Sequence, residues 1–206
     1  MVIAHLVRCH LLALLTAGLI GCGDEAPRLE AIARDDVILA FGDSLTFGTG
    51  AAAAESYPAV LGALIDREVV RSGVPGETSE GGLARLPAIL DEVSPRLLIL
   101  CLCGNDMLKK VDPEITRANL RAMLELARSK AIPVVLLGVP KPGLFADPPG
   151  FYAELADEFD LPYEGAVIKD VLYQNELKSD PIHPNARGYR RIAEAVAELL
   201  REAGGV

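Results

Sequence analysis

A chain of 206 residues, 50% hydrophobic and 24% charged, has the length and composition of one globular domain with a sizeable core, and these values exclude a disordered or collagen-like protein. The formal net charge is -9 with no block of Lys or Arg. This excludes nucleic acid as a partner and leaves no electrostatic hold on an anionic membrane surface.

At the N-terminus, Arg8, with His5 and His10 nearby, precedes an apolar run from Leu11 to Ile20. The run is too short to span a bilayer, which takes about 20 apolar residues, and it suits the apolar core of a secretory signal. It closes as Leu19-Ile20-Gly21-Cys22. This resembles a bacterial lipobox, in which the cysteine is acylated and becomes the first mature residue. The expected organisation is a lipoprotein signal peptide over residues 1–21, a lipidated tether over 22–35 with its lipid on Cys22, and a domain over 36–206. Such a protein is exported and held on a membrane, facing the periplasm or the cell exterior. Gly23 stands where an aspartate would favour inner-membrane retention, so the outer membrane of a Gram-negative host is the expected site.

Gly23 to Asp36 is polar and reads as a tether with one short helical turn. Val37-Ile38-Leu39-Ala40-Phe41 is a continuous apolar run of the kind found in strands buried on both faces. Ser56 to Asp66 has helical spacing, with Val60, Leu61, Leu64 and Ile65 facing in. Val69-Val70 predicts a short strand ending at Gly73, and Glu80 to Glu92 a helix with Leu83, Leu86 and Leu90 on one side. Leu97 to Leu102 and Pro133 to Gly138 are two further buried-strand runs. Between them, Pro113 suits a helix start, and Ile115 to Lys130 carries Leu120, Met123, Leu124 and Ala127 on one face. Lys141 to Gly150 is rich in Pro and Gly and reads as a loop. A helix over Phe151 to Phe159, a short edge strand over Leu161 to Tyr163 and a closing helix over Ala186 to Ala203, with Ile192, Val196, Leu199 and Leu200 inward, complete the chain. Strands alternate with helices, which predicts an α/β fold with a parallel sheet covered on both faces. In such folds ligands bind at the carboxyl ends of the strands.

Cys9 lies within the signal, and Cys101 and Cys103 remain beside Cys22. A disulfide two residues apart is geometrically tight, so both read as small buried thiols. Neither a CxxC redox pair nor a zinc pattern is present.

Gly42-Asp43-Ser44-Leu45 follows the first buried run, placing Ser44 where a strand ends. Serine also caps helices, so this position alone decides nothing. The histidine count is more informative. Beyond the signal the chain has one, in Asp180-Pro181-Ile182-His183-Pro184-Asn185. A short turn brings the Asp180 carboxylate to one imidazole nitrogen, and the other nitrogen is then able to take a proton from a serine. One His offers no metal-ligand cluster. Two other strand ends carry groups able to hold an oxyanion: Gly76 through its N–H, and Asn105 in Gly104-Asn105-Asp106 through its side-chain amide. Taken singly, these read as a glycine turn and an Asx-turn.

Together these residues resemble the SGNH, or GDSL, hydrolases over nearly all of residues 36–203. Gly42-Asp43-Ser44-Leu45 matches the first block of that family, Gly76 within Val74-Pro75-Gly76-Glu77-Thr78 the second, Gly104-Asn105-Asp106 the third and Asp180-Pro181-Ile182-His183-Pro184 the fifth. Gly81-Gly82-Leu83-Ala84-Arg85-Leu86-Pro87 is similar to the bacterial thioesterase I, lysophospholipase and arylesterase branch. The resemblance implies a three-layer α/β/α sandwich with a mostly parallel, flavodoxin-like five-stranded sheet. It also implies a Ser44-Asp180-His183 triad, and oxyanion donors from the Ser44 N–H, the Gly76 N–H and the Asn105 side chain. The chain departs from the branch at Cys103, where glycine is frequent and where a larger side chain would shift the Asn105 turn. It departs also at Arg71, and in the loop from Lys141 to Gly150, which would shape the acyl pocket. The G-x-S-x-G elbow of α/β-hydrolases is absent.

The expected activity is hydrolysis of carboxylic or thio esters through an acyl-enzyme, by a monomer with no metal or organic cofactor. Lysophospholipids, short acyl esters and aryl esters are the expected small substrates, with Met107-Leu108 and Leu144-Phe145 lining an apolar slot. An O-acetyl esterase acting on cell-wall or other glycans is the second reading, and a non-catalytic surface lipoprotein acting as a binding module is a third from another class.

Overall fold

The computed structural model describes residues 27–143 and 147–206. In chain order the elements are β1 (Val37–Gly42), α1 (Ser44–Phe47), α2 (Tyr57–Ile65), β2 (Glu68–Gly73), α3 (Ser79–Val93), β3 (Leu97–Cys101) and α4 (Gly104–Leu108). There follow α5 (Pro113–Ser129), β4 (Val134–Leu137), α6 (Phe151–Phe159), β5 (Tyr163–Glu164), α7 (Val167–Tyr173) and α8 (Ala186–Glu202).

The three continuous apolar runs become β1, β3 and β4, buried from Ile38 onward in β1 and throughout in the other two. They occupy the middle of a five-stranded sheet of order β2-β1-β3-β4-β5, with every neighbouring pair parallel. This is the flavodoxin-like order, and the sheet expected to be mostly parallel is wholly so. The edge strands β2 and β5 are only partly buried. Helices α2 and α8 pack together, as do α7 and α8, while α3, α5 and α6 form a second group. The core lies between these helices and the sheet, which makes three layers.

Local chemistry explains the longer helices. Asp112 caps α5 by accepting the Glu114 N–H at 2.9 Å, and Pro113 follows where no N–H is needed. Asn185 caps α8 through the N–H groups of Arg187 and Gly188. In α2 the buried stripe is Tyr57, Leu61 and Ile65, a spacing of four, so Leu64, expected inward, stands 37% exposed. Leu199 of α8 is likewise only partly buried, and Tyr189, Ile192, Val196 and Leu200 form the inner face.

The stretch read as a tether is seated on the domain where it is described. The Leu29 N–H donates to Ala203 O at 2.8 Å and the Ile32 N–H to Gly205 O at 2.9 Å. Ile32 is buried, and the Arg67 guanidinium holds its carbonyl. One hydrogen-bonded turn forms at its end, closed by the Asp36 N–H on Ala33 O at 3.2 Å. The signal and Cys22 lie outside the described residues. No helix among the described residues is long and apolar enough to cross a membrane.

Gly42 marks where β1 and β3 converge beneath the site. A Cβ there would meet Cys101 O at 1.9 Å. Only glycine permits this approach, which sets the position of the next residues, Asp43 and Ser44.

Candidate active site

Ser44 opens α1 at the end of β1, Gly76 lies in the turn after β2, and Asn105 lies in the short helix α4 that follows β3. Strand β1 pairs with both others, Gly42 opposite Gly73 on one side and opposite Cys101 on the other. Chain order reverses direction between β1 and β3, the place where such sheets bind ligands.

Ser44 opens the short helix α1, capped by Asp43, whose Oδ1 accepts the Leu45 N–H at 3.0 Å. His183 comes from the loop before α8. That loop is held by Ser179, whose N–H donates to His183 O at 2.9 Å, and by Asn185, whose amide donates to Glu176 O and Lys178 O. His183 Nε2 lies 3.0 Å from Ser44 Oγ, across 139 residues of sequence. Its Nδ1 lies 2.7 Å from Asp180 Oδ2. The other Asp180 oxygen accepts the N–H groups of Ile182 and His183, both at 2.9 Å. Partial burial pushes the Asp180 pKa up, but the His183 ring, the Ile182 N–H and the charge and N–H of His183 together outweigh it and hold the carboxyl below its ordinary value. Asp180 is therefore an anion throughout the neutral range.

Gly76 has φ +81 in the turn Val74-Pro75-Gly76-Glu77, closed by the Glu77 N–H on Val74 O at 3.1 Å. Positive φ at the third position of a turn, directly after proline, suits glycine. Among the described residues neither the Gly76 N–H nor the Ser44 N–H is taken by a hydrogen bond. The Asn105 side chain is taken: Nδ2 donates to Glu77 O at 2.9 Å and to Asp43 Oδ2 at 3.2 Å.

Ser44, Asn105 and His183 open onto a cleft of about 420 Å³, walled by Leu45, Leu108, Val139, Leu172, Tyr173 and Ile182. Lys141, Pro142 and Gly143 of the Pro- and Gly-rich loop also line it. Leu108 contributes to the wall, whereas Met107 packs against the core; Leu144 and Phe145 lie outside the described residues. Cys103 is fully buried and adopts φ +86 and ψ 0, a glycine-like conformation. The cysteine thus takes the backbone geometry of the turn, and the strain falls on it rather than on Asn105. Cys101 and Cys103 are both free thiols. Arg71 turns away from the cleft, donating to Phe47 O at 2.6 Å and lying over the Phe47 ring.

The GDSL-like lipase/acylhydrolase family matches residues 40–191 of this chain. The chain belongs to that family. It is 32% identical over 177 residues to thioesterase 1/protease 1/lysophospholipase L1 of Escherichia coli K12, covering 82% of this chain and 85% of that protein. It is 32% identical over 187 residues to the esterase TesA of Pseudomonas aeruginosa, covering 82% and 90%. Among solved structures, a crystal structure of TesA superimposes with a TM-score of 0.73 at 29% identity, over 81% of this chain and 99% of that one. AlinE4, an SGNH-hydrolase family esterase, superimposes with a TM-score of 0.66 at 32% identity, over 85% and 100%. The GDSL-like chain described here is accordingly an SGNH-type ester hydrolase.

Two features of this GDSL-like site are invisible to spacing. Arg85 of α3 grips both Glu77 oxygens, at 2.9 and 2.6 Å, and reaches Ser72 Oγ at 2.6 Å. It thereby pins the Gly76 turn to the end of β2. A lone arginine on the inner side of an apolar helix is the signal that could have found it. The second is Asp43, 1% exposed. Burial pushes its pKa up to about 7; the Leu45 N–H and the charge of His183 oppose the rise, and Glu77 and Asp106 add to it. A raised carboxyl pKa makes its contribution to stability full below about pH 4 and lost as pH climbs through 7. Asp43→Asn removes that dependence. The Tm of the variant relative to the native protein should climb between pH 4 and 7 and level off above it, in thermal unfolding followed by circular dichroism. A difference independent of pH would refute the assignment.

Proposed function

We propose that the protein hydrolyses acyl esters with Ser44 as nucleophile, His183 as general base and then acid, and Asp180 orienting His183. Ser44 Oγ attacks the carbonyl carbon while His183 Nε2 takes its proton. The oxyanion is held by the N–H groups of Ser44 and Gly76 and by the Asn105 amide. The proton passes from His183 to the leaving alcohol or thiol, and water, activated in turn by His183, releases the acid from Ser44. The observation that carries this reading is the contact of His183 with Ser44 at 3.0 Å and with Asp180 at 2.7 Å, at the mouth of an apolar cleft. All three groups come from one chain, so a monomer suffices, and the chemistry calls for no metal or organic cofactor.

The substrate is an ester with an apolar group to seat in the cleft, an acyl chain longer than acetyl as in a lysophospholipid or an aromatic alcohol as in an aryl ester. An apolar cleft of about 420 Å³ supports this, as do relatives described as a lysophospholipase and as the arylesterase of Vibrio mimicus, 30% identical over 177 residues. The test is hydrolysis of p-nitrophenyl esters from acetate to dodecanoate. Here kcat/KM should rise from acetate to the medium chain lengths. A maximum at acetate would move the assignment to acetylated glycans.

Residues 1–21 act as the export signal and Cys22 carries the lipid that holds the enzyme on a membrane, outside the cytoplasm; the Leu19-Ile20-Gly21-Cys22 sequence supports this. The chain enters the domain at Leu29, beside the end of α8, whereas His183 precedes its start. At 1.5 Å per residue the 17 residues of α8 separate the two by about 25 Å. Leu29, where the described chain first docks, therefore lies at the end of α8 remote from the cleft.

A further inference from the structure

Asp43 touches both neighbours of the reaction without belonging to the proton relay. Its Oδ1 is fixed by the Leu45 N–H at 3.0 Å and its Oδ2 receives the Asn105 amide at 3.2 Å. Glu77 O receives the same amide nitrogen at 2.9 Å. Both partners of that nitrogen are acceptors. Turning the Asn105 amide over would set its oxygen against the Glu77 carbonyl and, with Asp43 ionised, against a carboxylate, so only one orientation satisfies both contacts. The turn carrying Asn105 is fixed independently: Asp106 is buried and accepts the Ser79 N–H at 2.8 Å and the Ser79 hydroxyl at 2.5 Å. What remains free to rotate is the Asn105 side chain, and Asp43 and Glu77 are what stop it.

We propose that Asp43 is a positioning residue for hydrolysis, acting through Asn105 by holding its amide nitrogen toward the oxyanion. The two amide hydrogens are unequally held. The one on Glu77 O is the shorter bond and anchors the side chain. The one on Asp43 Oδ2 is longer, and it is the hydrogen a developing oxyanion takes over or shares. Asp43 thus keeps the donor pre-aimed in the free enzyme and yields it in the transition state, so the amide needs no reorientation as charge develops. The titratable groups acting on Asp43 are His183 from the loop before α8, Glu77 from the turn after β2 and Asp106 from α4.

This rests on the reading of Asn105 as an oxyanion donor, and a double-mutant cycle separates the two. In Asp43→Asn the new amide sets its nitrogen against the Leu45 N–H or against Asn105, donor to donor, and the hold is lost. With a p-nitrophenyl ester, kcat should fall about 10- to 100-fold with KM within about twofold, since an aim lost only in the transition state leaves binding alone. In an Asn105→Ala background the same change should cost less than about threefold, because the group it acts through is gone. Equal losses in both backgrounds would overturn the proposal. Should Asn105→Ala alone leave kcat intact, the donor role of Asn105 fails and the proposal with it. Asp43→Glu, which keeps the charge but displaces it, repeats the comparison should the asparagine variant not fold; its loss too should vanish without Asn105.

Discussion

Replacing Ser44 with alanine should lower kcat for ester hydrolysis by about 10,000- to 1,000,000-fold and leave the fold standing. The Ser44 hydroxyl has His183 Nε2 as its hydrogen-bond partner. Removing it takes away the proposed nucleophile but strands no buried backbone group, so the thermal midpoint should move by only a few degrees. No neighbour can substitute. Ser79 is buried and its hydroxyl is committed to Asp106 at 2.5 Å. Cys101 and Cys103 are buried, and that burial pushes both thiols far above their ordinary pKa, so neither supplies a thiolate. Steady-state rates on a p-nitrophenyl ester, with labelling by a serine-directed fluorophosphonate in parallel, check this. More than about 1% residual activity, against the loss typical of a triad nucleophile, would mean that the acyl-enzyme does not form on Ser44.

Asp180→Asn should cost about 10,000-fold in kcat, a loss out of proportion to a change of one atom. The reason lies in the two backbone N–H groups, of Ile182 and His183, that hold Asp180 Oδ1 at 2.9 Å. An asparagine keeps its oxygen on those donors, which leaves its NH2 facing His183 Nδ1 at the position now occupied by Oδ2. A donor there forces Nδ1 to accept, and the imidazole proton moves to Nε2, where it points at Ser44. The ring then presents an N–H to the hydroxyl it should deprotonate. KM should change little, because Asp180 is not part of the cleft wall. A variant retaining a tenth or more of the native kcat, where a wrong tautomer costs far more, would show that Asp180 does not set the tautomer.

Much of the fold is legible in the sequence because its central strands are unbroken apolar runs. β1, β3 and β4 could be read to within one residue at each end, and the long helices α5 and α8 carry the 3.6-residue period over 17 residues each. The short helices α1, α4 and α7, of four, five and seven residues, were not legible, since a segment of two turns or fewer shows no period. In the sequence Leu29 and Ile32 fall within a polar tether, because two apolar residues carry no pattern; only the C-terminal carbonyls of residues 203 and 205 reveal where they dock.

The candidate site divides the same way. Ser44, Gly76 and Asn105 could be singled out because each follows a strand, and strand ends are where such sheets act. Asp180 and His183 could be paired because three residues of turn is a local matter. By itself, then, the sequence determined the strand-helix alternation, the chemistry available at the strand ends and the short-range pairing of Asp180 with His183. What only the tertiary structure decided was everything that spans distant segments: Ser44 against His183, Asp43 and Glu77 together aiming Asn105, Arg85 pinning the Gly76 turn, and the leucines and valine that wall the cleft. Apart from the Arg85–Glu77 pair, those contacts join residues dozens to more than a hundred positions apart, and they depend on strand order and on how closely glycines such as Gly42 let the strand ends approach, neither of which is encoded in any local period of the chain.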